Sequence, residues 1–352
     1  VSLTGSIAAP VKNATDTSAV NGENVEASVV WNPALADNKF AAGISYQVTV
    51  TVTPDNGYLF ADSSTVTLAD SDLAFTLNPD GNFVATKTFN KTADKELTGL
   101  TITGYTGGEK THGSTIDKSE LTVQATFDDG STEDNYSGYE IVYTNGTALS
   151  KGDTAIKVRN GLVESNADTI PAVKGLSVDA SDFNFSDPNL TYNGTSRKDA
   201  IIGAFTTNTN YTGTKTFVVK SGDVESDAVN AGTYQVFFSY SGDNVYEAVS
   251  SLKIGEVTIA KKDITVKADD ASKTYDKNAL TKDTATVTGL AEGDKLASVT
   301  VSGSATNVGD AGVNTASNAV IKNKTDADVT ANYDITYDDG RLTITAKQLA
   351  ES

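Results

Sequence analysis

Tyr46-Gln47-Val48-Thr49-Val50-Thr51-Val52 alternates apolar and polar residues without a fault. At the two-residue period of an extended chain this sets Tyr46, Val48, Val50 and Val52 on one face and Gln47, Thr49 and Thr51 on the other, so one face is buried and the other wet. The rest of the chain uses the same vocabulary. Phe217-Val218-Val219, Tyr234-Gln235-Val236-Phe237-Phe238-Ser239-Tyr240 and Asp334-Ile335-Thr336-Tyr337 are further runs of β-branched and aromatic residues, the composition that fits a pleated, half-buried surface. Between such runs stand Asp128-Asp129-Gly130, Asn145-Gly146, Asn160-Gly161 and Asp338-Asp339-Gly340, residue types that tolerate positive φ at a tight turn. Only residues 196–204 and 278–283 read as helix, each a turn or two. The fold class expected is all-β.

The second half repeats itself. Leu190-Thr191-Tyr192-Asn193-Gly194 is echoed by Thr274-Tyr275-Asp276, Asn230-Ala231-Gly232 by Asp310-Ala311-Gly312, and Val257-Thr258-Ile259-Ala260-Lys261 by Leu342-Thr343-Ile344-Thr345-Ala346-Lys347. The interval is about 85 residues, the size of one small β domain. Ala172-Val173-Lys174-Gly175 and Ala260-Lys261-Lys262-Asp263 are corresponding joins, and Asp94-Lys95-Glu96-Leu97 is a third. None has Gly/Ser or Pro-rich slack, so neighbours are expected end to end with limited bending. Four domains follow: residues 1–94, 95–174, 175–262, and 263–352 with a C-terminal tail. They are expected to be mainly Ig-like β-sandwiches in an extended rod.

Composition narrows the function. The formal net charge of the 352-residue chain is −19, which repels nucleic acid and anionic membrane and favours a soluble monomer. There is no cysteine and a single histidine, so thiolate zinc sites, disulfide frameworks and thiol nucleophiles are excluded. No segment approaches the roughly 18 apolar residues of a membrane span. Methionine is also absent, and the chain is expected to be a piece of a longer polypeptide.

The candidate chemical groups each have an ordinary explanation. His112 lies in Lys110-Thr111-His112-Gly113-Ser114, a loop composition without the partners of a catalytic relay or a metal site. Asp128-Asp129, Asp269-Asp270 and Asp338-Asp339 offer oxygens to calcium, the one cofactor considered, but none continues into an EF-hand loop. Trp31, behind Val29 and Val30, reads as a core residue whose N–H finds an acceptor, with a sugar platform as the alternative. Tyr136 and Tyr139, in Asn135-Tyr136-Ser137-Gly138-Tyr139, are the candidate ligand-binding residues, because loops at the ends of a sandwich are where binding usually sits; Tyr139 or Tyr143 is expected to face the core. No catalytic residue is expected, and the chain reads as a non-enzyme.

Val287-Thr288-Gly289-Leu290, Gly293-Asp294, Asn307-Val308-Gly309 and Asn332-Tyr333-Asp334-Ile335-Thr336-Tyr337 through Gly340-Arg341-Leu342-Thr343-Ile344 make residues 263–347 resemble the MBG-type repeats of bacterial surface proteins. The departure is a longer stretch from Asn314 to Thr330. Residues 176–262 resemble the same class more loosely. Residues 95–174 are similar to bacterial Ig-like domains through Leu121-Thr122-Val123-Gln124-Ala125-Thr126-Phe127-Asp128-Asp129-Gly130, and the first domain to another surface repeat through Val30-Trp31-Asn32-Pro33. The resemblance implies an extracellular location on a bacterial cell surface, a Gram-positive wall being the expectation, and modules without established catalysis. The expected role is a structural stalk that spaces or displays a distal domain. The alternative is an adhesin or carbohydrate-binding module, accessory to a secreted polysaccharide-degrading enzyme in one version, with a glycan or a host surface protein as its partner. Four slack-free sandwiches would make a particle on the order of 140 Å or longer, since a strand of six to eight residues spans roughly 20 to 27 Å. Small-angle scattering measures this, and a compact, near-spherical particle contradicts it.

Overall fold

The computed structural model describes residues 1–349, so the end of the expected C-terminal tail lies outside the described residues. With 46% strand and 4% helix the chain is all-β. It forms two compact units that divide between Val173 and Lys174.

In the first unit the alternating stretch supplies Gln47–Pro54, an inner strand held antiparallel by Val25–Asn32 on one side and Phe83–Thr88 on the other, with Thr76–Leu77 at the edge. Val48, Val50 and Val52 are fully buried, as alternation requires. A second sheet sets Ser2–Ser6 between Ala19–Asn21, antiparallel, and Thr67–Leu68, parallel. Leu3, Val20 and Leu68 from this sheet share one core with Trp31, Val48 and Phe83 from the other.

Trp31 is 7% exposed. Its ring meets Phe40 edge-on at 4.9 Å and lies 5.6 Å from Phe89, and its Nε1 donates to Asp16 Oδ2 at 2.8 Å. The indole polar hydrogen therefore has its acceptor at the edge of the core, in a half-buried carboxylate.

A separate core follows in residues 97–173, built on Leu97–Tyr105, Leu121–Phe127 and Ala155–Asn160. Leu121, Val123, Ala125 and Phe127 are its alternating buried face. After Phe127 the chain turns through Asp128-Asp129-Gly130, with Gly130 at φ +78° and its N–H bonded to Phe127 O at 3.0 Å. This turn also ties the two cores of the unit together. Lys12 Nζ lies 2.6 Å from Asp128 Oδ2, Glu96 N donates to Asp128 Oδ1 at 2.9 Å, and Asn13 Nδ2 donates to Asp128 O at 3.2 Å. The Lys12 ammonium and the Glu96 N–H hold the Asp128 carboxyl below its ordinary range.

The second unit contains a five-stranded sheet in the order Leu190–Thr191, Val249–Ala260, Gly232–Tyr240, Lys215–Ser221, Val224–Glu225. Beyond it lie a three-stranded sheet centred on Lys262–Ala268 and a four-stranded sheet in the order Ala271–Thr274, Gly340–Thr345, Gly312–Lys322, Lys295–Ser302. Several pairs are parallel: Leu190–Thr191 with the end of Val249–Ala260, Lys262–Ala268 with Tyr333–Asp338, and Ala271–Thr274 with Gly340–Thr345. The stretch that departs from the MBG pattern opens inside Gly312–Lys322, a strand paired on both sides. Of the two helix expectations, one forms as Lys198–Gly203. Residues 278–283 form no helix and hold only an isolated bridge from Leu280 to Ala305. Tertiary pairing outweighs the weak local propensity of a six-residue segment there.

The core of the second unit does not stop near residue 262. Ile264, Ala291, Ile321, Val329 and Tyr333 belong to the same continuous cluster as Tyr192, Tyr234, Val236, Phe238 and Ile259.

Because Trp31 is locked by rings and by Asp16, Trp31→Ala leaves a cavity and removes one of the donors to the half-buried Asp16 carboxylate, which keeps the N–H of Ser18. It is expected to cost the first core about 3 to 5 kcal/mol. Calorimetry on the mutant beside the parent chain checks this, and an unchanged melt would mean that Trp31 does not support that core.

Candidate functional site

Residues of the recurring sequence motifs converge at one place, where residues 175–262 meet residues 263–349. Tyr192 follows the short strand Leu190–Thr191 and is fixed by its N–H to Ala260 O at 2.9 Å. Asp294 sits in the turn after Leu290, its N–H bonded to Ala291 O at 3.1 Å. Tyr333 opens the strand Tyr333–Asp338 directly after the 3-10 turn Thr330–Asn332. The Tyr192 hydroxyl donates to Asp294 Oδ2 at 3.0 Å, and the Tyr333 hydroxyl donates to the same oxygen at 2.6 Å. The two rings cross edge to face at 5.3 Å. Both tyrosines are buried, at 2% and 3% exposure.

Beside this triad lies a second, amide lock. Asn332 is buried. Its Oδ1 accepts from Ala231 N at 2.9 Å and its Nδ2 donates to Asn230 Oδ1 at 3.0 Å. Tyr333 Oη also accepts from Ala291 N at 3.0 Å, and Tyr234 donates its hydroxyl proton to Asn230 O at 2.8 Å. Every polar group named here has a partner, the condition under which a buried polar network fixes one arrangement and does not destabilise it.

Burial, and next the Asp294 carboxylate, favour the neutral phenols. They push the Tyr192 pKa up to about 12 and raise that of Tyr333. Above this network opens a cleft of about 390 Å³, whose wall includes Asn230, Glu292, Asp294, Asn323 and Lys324.

The residues singled out in the sequence lie elsewhere. Tyr139 is a core residue at 6% exposure; its hydroxyl points to Lys118 O at 3.4 Å and the Lys118 ammonium stands 4.7 Å from its ring centre. Tyr136 is half-buried against Phe127, and its hydroxyl accepts from Asn160 Nδ2 at 2.8 Å. The Tyr143 hydroxyl accepts from Ile116 N at 3.0 Å. His112 is half-buried, and its Nδ1 accepts from Lys151 N at 3.3 Å. Asp128 is engaged by Lys12, Asp269 accepts from Thr284 Oγ1, and Asp270 from Arg341 N. The buried polar side chains among the described residues are Thr92, Ser165, Asn314 and Asn332.

Residues 264–343 match the MBG domain, YGX type. The C-terminal end of the chain is therefore an MBG-type repeat, of a kind found in bacterial surface proteins. Asp294, Asn332 and Tyr333 all belong to the matched segment, whereas Tyr192, Asn230 and Ala231 lie outside it. No curated protein matches the chain. No helix among the described residues is long and apolar enough to cross a membrane. Asp294 could be seen in the sequence only as part of a motif; its acceptor role depends on two tyrosines, one of them about a hundred residues upstream.

The triad has a readable pH signature. A tyrosine whose folded pKa is raised contributes stability that is complete below pH 10 and falls as the unfolded chain ionises above it. The second unit should therefore lose stability from about pH 10 towards pH 12, and Tyr192→Phe should flatten that slope. Asp294→Ala, which strips both hydroxyls of their charged acceptor, should cost about 2 to 4 kcal/mol at neutral pH. Denaturant melts across alkaline pH measure both effects, and an Asp294→Ala melt equal to the parent contradicts the triad.

Proposed function

We propose that the chain is a spacer: a non-catalytic stalk segment of a bacterial cell-surface protein that holds a distal functional domain away from the cell. The observation that supports this most is the junction at Asp294. A cleft that serves chemistry keeps reactive groups accessible and only partly satisfied. Here the Asp294 carboxylate is taken up by Tyr333 of its own segment and by Tyr192 of the preceding one, and the apolar core runs through the join. That arrangement suits a segment that must keep its neighbours in register. The MBG match and the acidic surface agree with a surface location.

The second reading, an adhesive or carbohydrate-binding module, is favoured by the cleft above the junction, whose wall includes Asn230, Asn323 and Lys324, side chains of the polar kinds that fix a ligand's orientation.

A glycan array and a set of polysaccharide hydrolysis assays on the fragment, together with antibody labelling of intact producing cells, separate the readings. The spacer reading expects surface labelling, no turnover and no glycan retained. Binding that is lost on Lys324→Ala with the melt unchanged would overturn it in favour of the second.

A further inference from the structure

The end of residues 175–262 that carries Tyr192 has a counterpart at the far end of the MBG repeat. Tyr192 N donates to Ala260 O at 2.9 Å, and Tyr275 N donates to Thr345 O at 2.9 Å. In both places the tyrosine follows a short strand that runs parallel to the closing strand, Leu190–Thr191 against Ala260 in one and Ala271–Thr274 against Thr345 in the other. In both, the opposite side of the closing strand pairs antiparallel with a strand that begins at the glycine of an Ala-Gly pair, Gly232 or Gly312. The glycine of the second meets the closing strand two positions earlier, so the tyrosine is the matched anchor and the loop before the glycine is not superposable.

What covers the two ends differs. Tyr192 is 2% exposed, because residues 291–294 and Tyr333 close over it. Tyr275 is only half-buried, and among the described residues its hydroxyl makes no hydrogen bond. The apolar cluster beneath it consists of Ala305, Leu342 and Ile344, with Ala271, Tyr275 and Leu280 packed at its margin. Val308, in the loop beyond Ala305, is 51% exposed. At the covered end, by contrast, the core passes unbroken from Ile259 to Ile264 and Tyr333. Ala305, Leu342 and Ile344 are themselves buried, and the apolar area a following partner would remove is that of Val308 and of the half-buried Ala271, Tyr275 and Leu280.

We propose that this end of the MBG repeat is a docking surface for the opening edge of a further repeat of its own kind. The incoming repeat would present a carboxylate and an Asn-Tyr pair in the places of Asp294 and Asn332-Tyr333. The Tyr275 hydroxyl is the donor that the incoming carboxylate takes, and Val308 with the half-buried margin of Ala271, Tyr275 and Leu280 is the apolar surface that it covers. The proposal shares with the spacer reading the idea of a repeating junction, but it concerns a contact between folded repeats and is measured without reference to location or ligand.

The test lengthens the whole chain. Residues 262–349 are duplicated after Lys347, which reproduces the Ala260-Lys261-Lys262 join, and hydroxyl-radical footprinting read by mass spectrometry follows Tyr275. Tyr275 should lose its reactivity down to the level of Tyr192 in the same sample, and regain it when the appended copy alone carries Asp294→Ala. Tyr275 as reactive as in the parent chain overturns the proposal, whether the appended copy folds as a separate bead or stays unfolded. Protection that survives Asp294→Ala overturns the assigned contact. A chain that passes this test and yet binds glycans would sink the spacer reading alone, and the two failures are thereby told apart.

Discussion

An aromatic ring that carries a polar hydrogen can enter an apolar core only if that hydrogen finds an acceptor there, and in this chain the acceptor is repeatedly a carboxylate. Trp31 gives its N–H to Asp16, Tyr211 its O–H to Asp182, Tyr240 to Asp243, and Tyr192 and Tyr333 share Asp294. With no cysteine or methionine and with 14 tyrosines, 12 phenylalanines and one tryptophan, the cores depend on large rings. Rings of this kind bring apolar area, directional packing and one polar edge each. The excess of Asp and Glu that keeps the surface soluble thus also supplies half-buried acceptors at the core margins. Asp243 shows how firmly such a carboxylate is held: the Tyr240 hydroxyl, and after it the N–H groups of Tyr246, Val245 and Thr212, drive its pKa strongly down.

At Asp294 this local rule becomes a rule of assembly. Asp294 already accepts from Tyr333 of its own segment, and the same oxygen takes Tyr192 from residues 175–262, so the Tyr192 ring is buried with its hydroxyl satisfied only when residues 263–349 are in place. The amide lock of Asn332 on Asn230 and Ala231 adds the register. In the first unit the corresponding tie is ionic and lies nearer to solvent. Lys12 and Asp128 are partly exposed there, and two separate cores stand on either side. The two ties should differ in character, because a partly exposed ion pair is weakened by salt whereas a buried network with shared apolar packing is screened much less.

Much of the fold was legible because it is encoded locally. The alternation at residues 46–52 survives as a strand with Val48, Val50 and Val52 buried, and Trp31 lies in the core as its apolar neighbours implied. Turn chemistry was partly legible. Gly130, Gly146 and Gly161 have positive φ, but Gly340 does not; it is needed because a Cβ there would meet Ala268 O at 2.4 Å, a close approach that no sequence pattern announces. The parallel pairs escaped for the same reason, since hairpin signals name sequential neighbours only. The site was visible only in pieces: Tyr192, Asn230-Ala231, Gly293-Asp294 and Asn332-Tyr333 all stood out as motif residues, while their meeting depends on contacts across about a hundred residues. Tyr139 was chosen from its loop composition, and its ring is instead part of the core with Leu121, Val123 and Phe127.

The central claim is that residues 175–262 and 263–349 of the second unit are one cooperative body through the Asp294 junction. Native-state hydrogen exchange tests it most directly, on the amides of the strands Gly232–Tyr240 and Tyr333–Asp338 in the intact chain. A shared core predicts that the slowest amides of both strands open with the same free energy and the same denaturant dependence, as one unit. Two distinct opening free energies, with one strand exchanging while the other stays protected, would contradict it.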